Sequence, residues 1–482
     1  MMKKLLPLLF LSLTFFVSTH AQQPKKPNVA EIYESVQKLN FLGSVLYVAA
    51  HPDDENTRLI SYMSNHIKAR TAYLSLTRGD GGQNLIGPEI RELLGVIRTQ
   101  ELLAARGVDG GEQMFTRAND FGYSKHPNET LEIWNKDEVL SDVVWAIRKF
   151  KPDVIINRFD HRRAGQTHGH HTSSAMLSME AFDIVNNPNS YPEQLKHVDT
   201  WQPKRLFYNT SWWRYGSIEE FDKIDKSNMI NFDIGVYYPL KGMSNNELAS
   251  IASSQHLCQG FGRVTTRGTQ EEYIELLKGD KPTNSDLFEG INTSWTRVDG
   301  GKAIGDILQN VEQNFNFRDP SVHLPNLIKA YQLISELKDD HWRIQKTKEI
   351  KAIIEACAGL YLEVSASQPT ISQGSDVELN IEALSRNTNL ILQSYVISAN
   401  SAATIKNIEL KQNIKQNFKE TIQISKFHPT SSASWLNEKG TLGMYKVEDQ
   451  LLKGTPESAR PVSVVFNLSI NQTPITFTKD VI

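Results

Sequence analysis

The sequence predicts an α/β fold: a parallel sheet flanked by helices, followed by a helical hairpin and a C-terminal all-β module that resembles a sandwich. Three observations lead to this fold class. Between residues 44 and 182, short apolar runs of strand type alternate with stretches of helical periodicity, as in right-handed βαβ crossovers. Two helical stretches follow at residues 324–337 and 342–360. From residue 361 onward, alternating or β-branched runs are separated by polar turns, as in β-sandwiches.

The first predicted strand is the apolar run from Val45 to Ala50, which is short, partly β-branched and followed by Pro52. Proline cannot donate to a strand ladder, so the strand should end there. Apolar residues at helical spacing then predict a helix over residues 55–67. The same reasoning predicts the later elements of this domain, namely strands at 71–77, 154–159 and 232–238 and helices at 30–42, 88–105, 135–150, 172–182 and 246–255.

Two of these helices carry more specific expectations. In the helix at 88–105, Arg98 and Glu101 lie one turn apart, and the simplest interpretation is a surface ion pair. At the start of the helix at 135–150, Asn135 and Glu138 resemble a capping box. The buried side of the helix at 88–105 should be formed by Ile90, Leu93, Leu94, Ile97 and Leu102.

The chain of 482 residues is long enough for two or three domains with their own cores. Its net charge is −3 and it has no long basic run, so nucleic acid is not an expected partner. The predicted organisation is a signal peptide at 1–21, a main α/β domain at 22–310, a helical hairpin linker at 311–360 and a β-sandwich-like accessory module at 361–482.

Residues 1–21 have the composition of a signal peptide: two lysines, an apolar stretch at 5–17 and a small-x-small site at 19–21. That stretch is short for a membrane span, and no other run approaches about 20 apolar residues. We therefore expect a secreted or periplasmic protein with no transmembrane segment after signal removal. Export would permit a disulfide, but Cys258 and Cys357 are expected to be independent buried thiols.

A group of ionisable residues follows the first strand directly. His51, Asp53, Asp54 and Glu55 sit at the predicted strand-to-helix turn, which is where ligands bind in open α/β sheets. Three carboxylates this close together repel one another and are costly to bury, and a divalent cation removes that cost. His51 and Asp54 could bind one metal while Asp53 stays free. The alternative, that the acids only cap the helix, explains one acid well and gives His51 no role.

A second group follows the predicted strand at 154–159. Four of the chain's 13 histidines lie within eleven residues there. In a parallel sheet, this turn lies on the same edge as His51. A solvated surface loop or adventitious metal binding is the alternative for any single histidine. For His168 and His171 together, facing an acid cluster, a functional site is favoured. The four are His161, His168, His170 and His171.

These two groups together contain the parts of a metal-dependent hydrolase. Catalytic zinc takes three protein ligands of N or O type and keeps one position for water, and His51, Asp54 and one histidine of the second turn meet that count. Bound water with a pKa lowered towards about 7 would supply hydroxide. Asp53 could take its proton and later pass it to a leaving amine, while a second imidazole stabilises the oxyanion. The predicted reaction is hydrolysis of an amide or ester. Iron(II) is an alternative to zinc, since N and O ligands suit both.

Two other features bear on ligand binding. A glycine-rich turn at 78–82 would let the backbone approach a ligand closely, although its spacing fits neither the dinucleotide nor the Walker pattern. Trp212, Trp213 and Tyr215 form an aromatic cluster. Core packing is the default interpretation of that cluster, and a sugar-stacking wall at the mouth of a cleft is the alternative.

The motifs resemble those of the LmbE-like, or PIG-L, family of zinc-dependent de-N-acetylases. That family carries an A-H-P-D-D-E motif after its first strand, here Ala50 to Glu55, and an H-x-x-H motif after a later strand, here His168 to His171. The resemblance is strong over residues 44–182 and continues to about 310. It implies a Rossmann-like fold and removal of N-acetyl groups from amino sugars or their conjugates.

By position, the resemblance also implies roles for individual residues. Asp53 would be the general base, and His168 would stabilise the oxyanion or act as an acid. Arg98 matches a family arginine that contacts substrate, and Asp120 matches a family acid in the cleft. The implied zinc ligands are His51, Asp54 and His171.

The second motif departs from the family in one respect. Many members have Pro-Asp between its histidines, where this chain has Gly169 and His170. The aspartate of the family tunes the neighbouring histidine, so the partner of His168 is an open question. Asp160 is a candidate replacement for that acid, and His170 is an alternative ligand.

The sequence thus predicts a secreted metal-dependent de-N-acetylase that acts on an N-acetylated sugar or glycoconjugate through a metal-bound hydroxide, with an accessory β module. A metal-dependent esterase or another amidase is the alternative enzyme. A non-catalytic carbohydrate-binding protein, with a structural metal, is the alternative from another class.

Overall fold

A computed structural model describes residues 26–262, 265–399 and 402–482 of the chain. The signal peptide predicted at 1–21 lies outside the described residues. Within these ranges, no helix combines the length and the apolar character needed to cross a bilayer. Cys258 and Cys357 are both buried and neither is disulfide-bonded in the described part of the chain, as the sequence predicts.

The centre of the molecule is a seven-stranded sheet with the order β3-β2-β1-β4-β5-β9-β6, while β7 and β8 pair with each other. The first five of these strands run parallel, and β9 pairs antiparallel with both β5 and β6. The predicted α/β class with a parallel sheet is confirmed. The strands are β1 Ser44–Ala49, β2 Arg70–Ser75, β3 Glu112–Phe115, β4 Val154–Asn157, β5 Arg205–Thr210, β6 Met229–Asp233, β7 Tyr237–Tyr238, β8 Met243–Ser244 and β9 Glu271–Gly279.

The first strand explains why the sheet is covered on both sides. Val45 and Tyr47 pack into one hydrophobic core, and Leu46 and Val48 pack into the core on the opposite face. A strand buried on both faces has a continuous apolar sequence rather than an alternating one.

The helices of the described chain are Val29–Leu39, Thr57–Ser61, Glu92–Asp109, Pro127–Ile133, Lys136–Phe150, Gly169–Ile184, Ile218–Lys223, Asn245–Ser253, Gly301–Gln313, Leu324–Ser335 and Asp340–Cys357.

The helix predicted at 88–105 begins later than the periodicity indicates. Arg91, just before Glu92–Asp109, has a φ of 55°, which interrupts the helix. Ile90 and Leu93 were expected on the buried side but are 66% and 63% exposed. Leu94 and Leu102 are buried as predicted. The spacing of the apolar residues predicts a helix that runs through Arg91, but the chain is not helical there.

The predicted capping box at Asn135 is also wrong. Asn135 has a left-handed backbone with a φ of 54°, and its side-chain amide donates to Oε1 of Glu138 at 3.0 Å instead of accepting from the helix. A short helix, Pro127–Ile133, precedes it and was not predicted. Its proline at the first helical turn is the sequence signal for that helix. The strand predicted at 232–238 is divided between β6 and β7.

The C-terminal part is all-β, as predicted, and consists of two antiparallel sheets with the orders β10-β11-β14 and β13-β12-β15-β16. Its hydrophobic core is continuous with the helical hairpin and with helix Val29–Leu39. The boundary predicted at 310 falls within helix Gly301–Gln313, which packs into the same core. The strands are β10 Leu360–Ala366, β11 Asp376–Ser385, β12 Leu390–Ile397, β13 Ala403–Leu410, β14 Gln416–Gln423, β15 Ser463–Ile470 and β16 Thr473–Asp480.

Between β14 and β15 the chain leaves the sandwich and returns to the main sheet; we call residues 424–462 the return segment. Ala118 and Met444 form an antiparallel bridge. The backbone N–H of Tyr445 donates to the carbonyl of Arg117 at 2.7 Å, and that of Phe115 donates to the carbonyl of Gly454 at 3.0 Å. The return segment therefore covers the chain at the end of β3, the edge strand of the main sheet.

Candidate active site

The two motifs meet where the strand order of the sheet reverses. β1 and β4 are adjacent and parallel, with Val48 opposite Asn157, yet the chain continues from β1 to β2 on one side and from β4 to β5 on the other. This topological switch point opens a crevice beyond the carboxyl ends of the strands. His51 follows β1 and the histidines at 168–171 follow β4, so the crevice receives both groups.

The turn after β1 is closed by Asp54. Its Oδ2 accepts a hydrogen bond from the backbone N–H of His51 at 2.8 Å and lies 3.1 Å from Nδ1 of the same residue. The hydroxyl of Tyr73 on β2 donates to the carbonyl of His51 at 2.5 Å. These bonds hold the imidazole and the carboxylate on the same side of the turn.

Asp53 points away from this pair because its backbone is left-handed, with a φ of 101°. Its backbone N–H donates to Oε2 of Glu55 at 2.9 Å. The side-chain amide of Gln259 donates both to Oδ2 of Asp53 and to the carbonyl of Pro52. A non-glycine residue with positive φ of this kind is strained and persists only where its surroundings hold it. Glu55 and Gln259 supply those contacts.

The turn after β4 leads into helix Gly169–Ile184. This helix begins three residues before residue 172, where the sequence predicts its start. His168 caps this helix, its Nδ1 accepting from the backbone N–H of His170 at 3.1 Å. His171 lies in the first turn, stacked on Phe159 with 3.8 Å between the ring centroids. Its Nδ1 lies 3.3 Å from the hydroxyl of Thr167, and its Nε2 lies 3.4 Å from Oδ1 of Asp54.

The structure thus brings His51, Asp54 and His171 together, with one donor atom from each within 4.8 Å of the others. Two imidazole nitrogens and a carboxylate oxygen are the donor set of a catalytic zinc site. In the described chain, His51, His168 and His170 form a second group whose donor atoms also lie within 4.8 Å of one another. Each group is a candidate metal site.

His170 differs from the other two histidines of the motif because it is fully buried. Its Nδ1 lies 2.9 Å from Nε2 of His51 and 3.7 Å from Oδ1 of Asp120, and its ring packs against Trp134 and Phe121. His51 therefore has Asp54 on its Nδ1 side and His170, backed by Asp120, on its Nε2 side.

Asp160, the other candidate for the missing acid, does not face His168. Its Oδ1 accepts from the backbone N–H of Arg162 at 2.9 Å and from the guanidinium of that arginine at 2.7 Å. Besides Asp54, which lies next to His171, the acid that faces the second motif is Asp120, through His170.

Two of the three candidate ligands, Asp54 and His171, are in the protonation state that a metal needs, whereas His51 must lose a proton to bind one. Burial opposes protonation of His51, yet Asp54 and Asp120 raise its pKa to about 9. Although burial would raise it, His171 and His51 bring the pKa of Asp54 well below its usual range. Burial lowers the pKa of His171 to about 3 and that of His168 to about 4. Asp54 is therefore ionised and His171 neutral near pH 7, as metal ligands must be.

Asp53 is in a different electrostatic state. Burial, together with the carboxylates of Asp54 and Glu55, raises the pKa of Asp53 to about 7, against the opposing charges of His51 and Arg98. Carboxylates that share a site cannot all ionise freely. Of these two neighbouring aspartates, Asp54 is firmly ionised, as a metal ligand is, and Asp53 titrates near pH 7, as a general base does.

Glu55 anchors the turn through two buried partners. Its Oε1 lies 2.7 Å from Nε2 of His256 and 3.3 Å from the guanidinium of Arg106, which also pairs with Asp109. Burial disfavours the charge, but His256 and Arg106 lower the pKa of Glu55. No local pattern in the sequence marks His256, Arg106 or Gln259, because they come from helices and loops distant in the chain.

Arg98 is not on the surface, and the predicted ion pair with Glu101 is wrong. Arg98 is 2% exposed and donates to the carbonyl of Gln83 at 2.7 Å. A Cβ added to Gly82 would lie 2.5 Å from its guanidinium nitrogens, so the glycine-rich turn packs directly on this side chain. Glu101 instead accepts from the backbone N–H of Cys258 at 2.7 Å.

Two aromatic residues line a cavity that also includes Asp53. Trp212 and Trp213 are 48% and 52% exposed, so the default of core packing is wrong for them. With Asp53 and Arg158, they line a cavity of about 570 Å³. Exposed indole rings beside a polar cavity are typical of ligand contact.

The fold and the site together define a Rossmann-like α/β domain with a histidine–aspartate cluster at its switch point. Residues 46–182 match the profile of the PIG-L family, described as GlcNAc-PI de-N-acetylase, and we call these residues the PIG-L domain. The predicted resemblance is confirmed over the residues that carry both motifs.

Two solved structures are similar to the chain. One is the N,N'-diacetylchitobiose deacetylase from Pyrococcus horikoshii, with 15% identity over 52% of this chain and 86% of that chain and a TM-score of 0.33. The other is the 4-carboxy-2-hydroxymuconate hydratase from Pseudomonas putida, with 15% identity over 50% of this chain and 99% of that chain and a TM-score of 0.34. No curated protein matches the sequence.

Proposed function

We propose that this protein is a secreted, metal-dependent de-N-acetylase that removes the acetyl group from an N-acetylated amino sugar or glycoconjugate. The observation that carries the proposal is the approach of His51, Asp54 and His171 to one another with Asp53 turned away from them. The PIG-L domain at residues 46–182 gives the reaction class. The proposal of secretion is supported only by the signal-peptide composition of residues 1–21.

His51, Asp54 and His171 would hold a divalent ion, zinc or iron(II), and we assign His170 to the layer behind His51. His170 is fully buried and its Nδ1 faces a nitrogen of His51, so it orients that ligand in the way second-layer partners do. When bound, such an ion polarises the acetyl carbonyl and acidifies a water molecule. The donor set fits this ion, because it combines two imidazoles with one ionised carboxylate.

Asp53 is the general base in this scheme. Its left-handed backbone separates it from Asp54, and it lines the cavity of about 570 Å³ in which a substrate would lie. It would take a proton from the attacking water and deliver it to the nitrogen of the departing amine, which leaves acetate and a free amino sugar.

His168 would donate a hydrogen bond to the oxyanion that forms on the acetyl carbon. Its Nδ1 accepts from the backbone N–H of His170, so the proton of the neutral ring is on Nε2. Burial holds its pKa at about 4, which keeps the ring neutral at physiological pH. A neutral imidazole with a fixed N–H is a donor rather than a source of full proton transfer.

Gln259 should affect catalysis through Asp53. We expect Gln259→Met to lower kcat roughly tenfold, because Asp53 loses the donor that fixes Oδ2, while the metal content stays the same. Steady-state kinetics and elemental analysis of the purified variant check both points. An unchanged kcat would show that Gln259 does not position the base.

Trp213 should contribute to substrate binding rather than to chemistry. We expect Trp213→Ala to raise KM about fivefold with little change in kcat, because a stacking contact of about 1 kcal/mol is lost. Phe427→Ala is the control, since Phe427 is 94% exposed and does not line this cavity. Equal KM values for the two variants would remove Trp213 from the substrate site.

The proposed reaction is tested by acetate release from a panel of N-acetylated sugars and O-acetylated esters, with and without a chelator. De-N-acetylation that stops on chelation and resumes with zinc supports the proposal. Release from the esters alone would make the protein an esterase. Sugar binding that survives chelation without any acetate release would make it a carbohydrate-binding protein.

A further inference from the structure

The return segment is fixed to the glycine-rich turn of the PIG-L domain through Arg78. The guanidinium of Arg78 lies between two aromatic rings, 4.1 Å from the centroid of Phe115 and 3.4 Å from that of Trp435. It also donates to the carbonyl of Thr455 at 2.8 Å and to the hydroxyl of Thr99 at 3.1 Å. Buried cation–π and hydrogen-bond contacts of this kind hold the segment in place.

A cavity of about 860 Å³ lies between the return segment and the PIG-L domain; we call it the junction cavity. The PIG-L domain contributes residues 80–82, 90–92 and 119–122 to its walls, and the return segment contributes 438–442 and Tyr445. The walls combine carboxylates and a tyrosine with cationic and apolar side chains, and two of the apolar ones, Ile90 and Leu442, are 66% and 68% exposed. Apolar walls with a few polar groups are typical of ligand-binding cavities.

Asp80 is the polar group that points to a ligand. It is 3% exposed; its Oδ1 accepts from the hydroxyl of Tyr445, while its Oδ2 has no hydrogen-bond partner among the described residues. A buried acceptor without a partner is costly unless something binds it. Helix Glu92–Asp109 makes room for this carboxylate, since a Cβ on Gly95 would lie 2.0 Å from its Oδ1.

Two residues that line the junction cavity also contact the histidine cluster. Asp120 and Phe121 line the cavity, and both contact His170. Oδ1 of Asp120 lies 3.7 Å from Nδ1 of His170, and the ring centroid of Phe121 lies 4.5 Å from that of His170. A ligand in the cavity would therefore lie next to the groups that surround His51.

We propose that the junction cavity is a second sugar subsite, which binds the hydroxyl-rich unit next to the N-acetylated unit of an oligosaccharide. This inference rests on the proposed function. Sugar hydroxyls would donate to Asp80 and Asp120, and the C–H faces of the ring would pack on Ile90 and Leu442. The return segment thereby gives the C-terminal module a part in substrate selection, by favouring oligosaccharides over single sugars.

The test compares acetate release by the full-length protein from N-acetylglucosamine and from its β-1,4-linked trisaccharide. We expect a higher kcat/KM for the trisaccharide. Asp80→Asn should lower the ratio of the two values about tenfold, because a charged acceptor is lost. Leu442→Ala should lower it about threefold through lost apolar contact. Phe427→Ala, in the same segment but not lining the cavity, should leave the ratio unchanged. Equal kcat/KM values, or a ratio that Asp80→Asn does not alter, would overturn the subsite.

The failure of the subsite is distinguishable from the failure of the proposed reaction. Absence of acetate release from every sugar would overturn the reaction alone. Calorimetric titration of the zinc-loaded protein with the same two sugars then decides the subsite. Tighter binding of the trisaccharide, weakened about tenfold by Asp80→Asn, supports it. Equal affinity for both sugars would overturn it.

Discussion

Asp53→Asn is expected to lower kcat by at least about a thousandfold and to leave the metal content unchanged. The amide keeps the size of the side chain and its contact with Gln259 but cannot accept a proton, and general bases contribute about 10²–10⁴-fold to such reactions. Because Asp53 is turned away from His51 and Asp54 by its left-handed backbone, its loss should not disturb their donor atoms.

The measurement is the rate of acetate release together with the metal-to-protein ratio of the same preparation. Asp199→Asn is the control, since Asp199 lies on the surface, where it pairs with Lys151. Full activity in Asp53→Asn would remove the base from the mechanism. Loss of metal would make Asp53 a ligand and would require a different set of donors.

His171→Ala is expected to lower the affinity for zinc by more than about a hundredfold. The change removes one of three protein donors, a larger loss than the 10- to 100-fold that outer-layer partners typically cost. His171 is fixed for this role by its stacking on Phe159 and by the contact of its Nδ1 with Thr167, which leaves Nε2 facing Asp54.

A competition titration with a chelator of known affinity measures this effect. His161→Ala is the matched control, because His161 lies on the loop that precedes the helix of His171 and belongs to neither of the two candidate metal groups. Wild-type affinity in His171→Ala, with loss of zinc in His170→Ala, would move the site to His51, His168 and His170.

The main sheet and the meeting of the two motifs could be predicted because each depends on local sequence. The apolar run of β1 and the break at Pro52 fix where the first turn lies, and parallel topology brings the end of β4 beside it. The distances among His51, Asp54 and His171 follow from that topology. Predicting those parts of the site required only the order and direction of the strands and not the identity of a further distant side chain.

The residues that hold Asp53 could not be predicted in the same way. Gln259 and His256 reach the turn from about two hundred positions away, on a loop whose polar sequence has no periodicity. The surface ion pair of Arg98 with Glu101 was wrongly predicted, because spacing on a helix indicates which residues are neighbours but not which side of the helix is buried. The glycine-rich turn at 78–82 buries Arg98, and the path of that turn depends on tertiary packing.

The return segment was missed for a related reason. Residues 424–462 have few apolar runs, so the sequence indicated only connections between strands. Its place in the fold is decided by single contacts with the PIG-L domain, such as Trp435 on Arg78 and Tyr445 on Asp80. Such pairings join residues more than 350 positions apart, and no local pattern marks them.

The most direct test of the account is a crystal structure of the zinc-loaded protein with anomalous data collected at the zinc edge. The account predicts one ion bound by His51, Asp54 and His171, with His170 and the carboxylate of Asp53 outside bonding distance. An ion bound by His168 and His170, or one whose remaining position is filled by a further protein side chain, would contradict it.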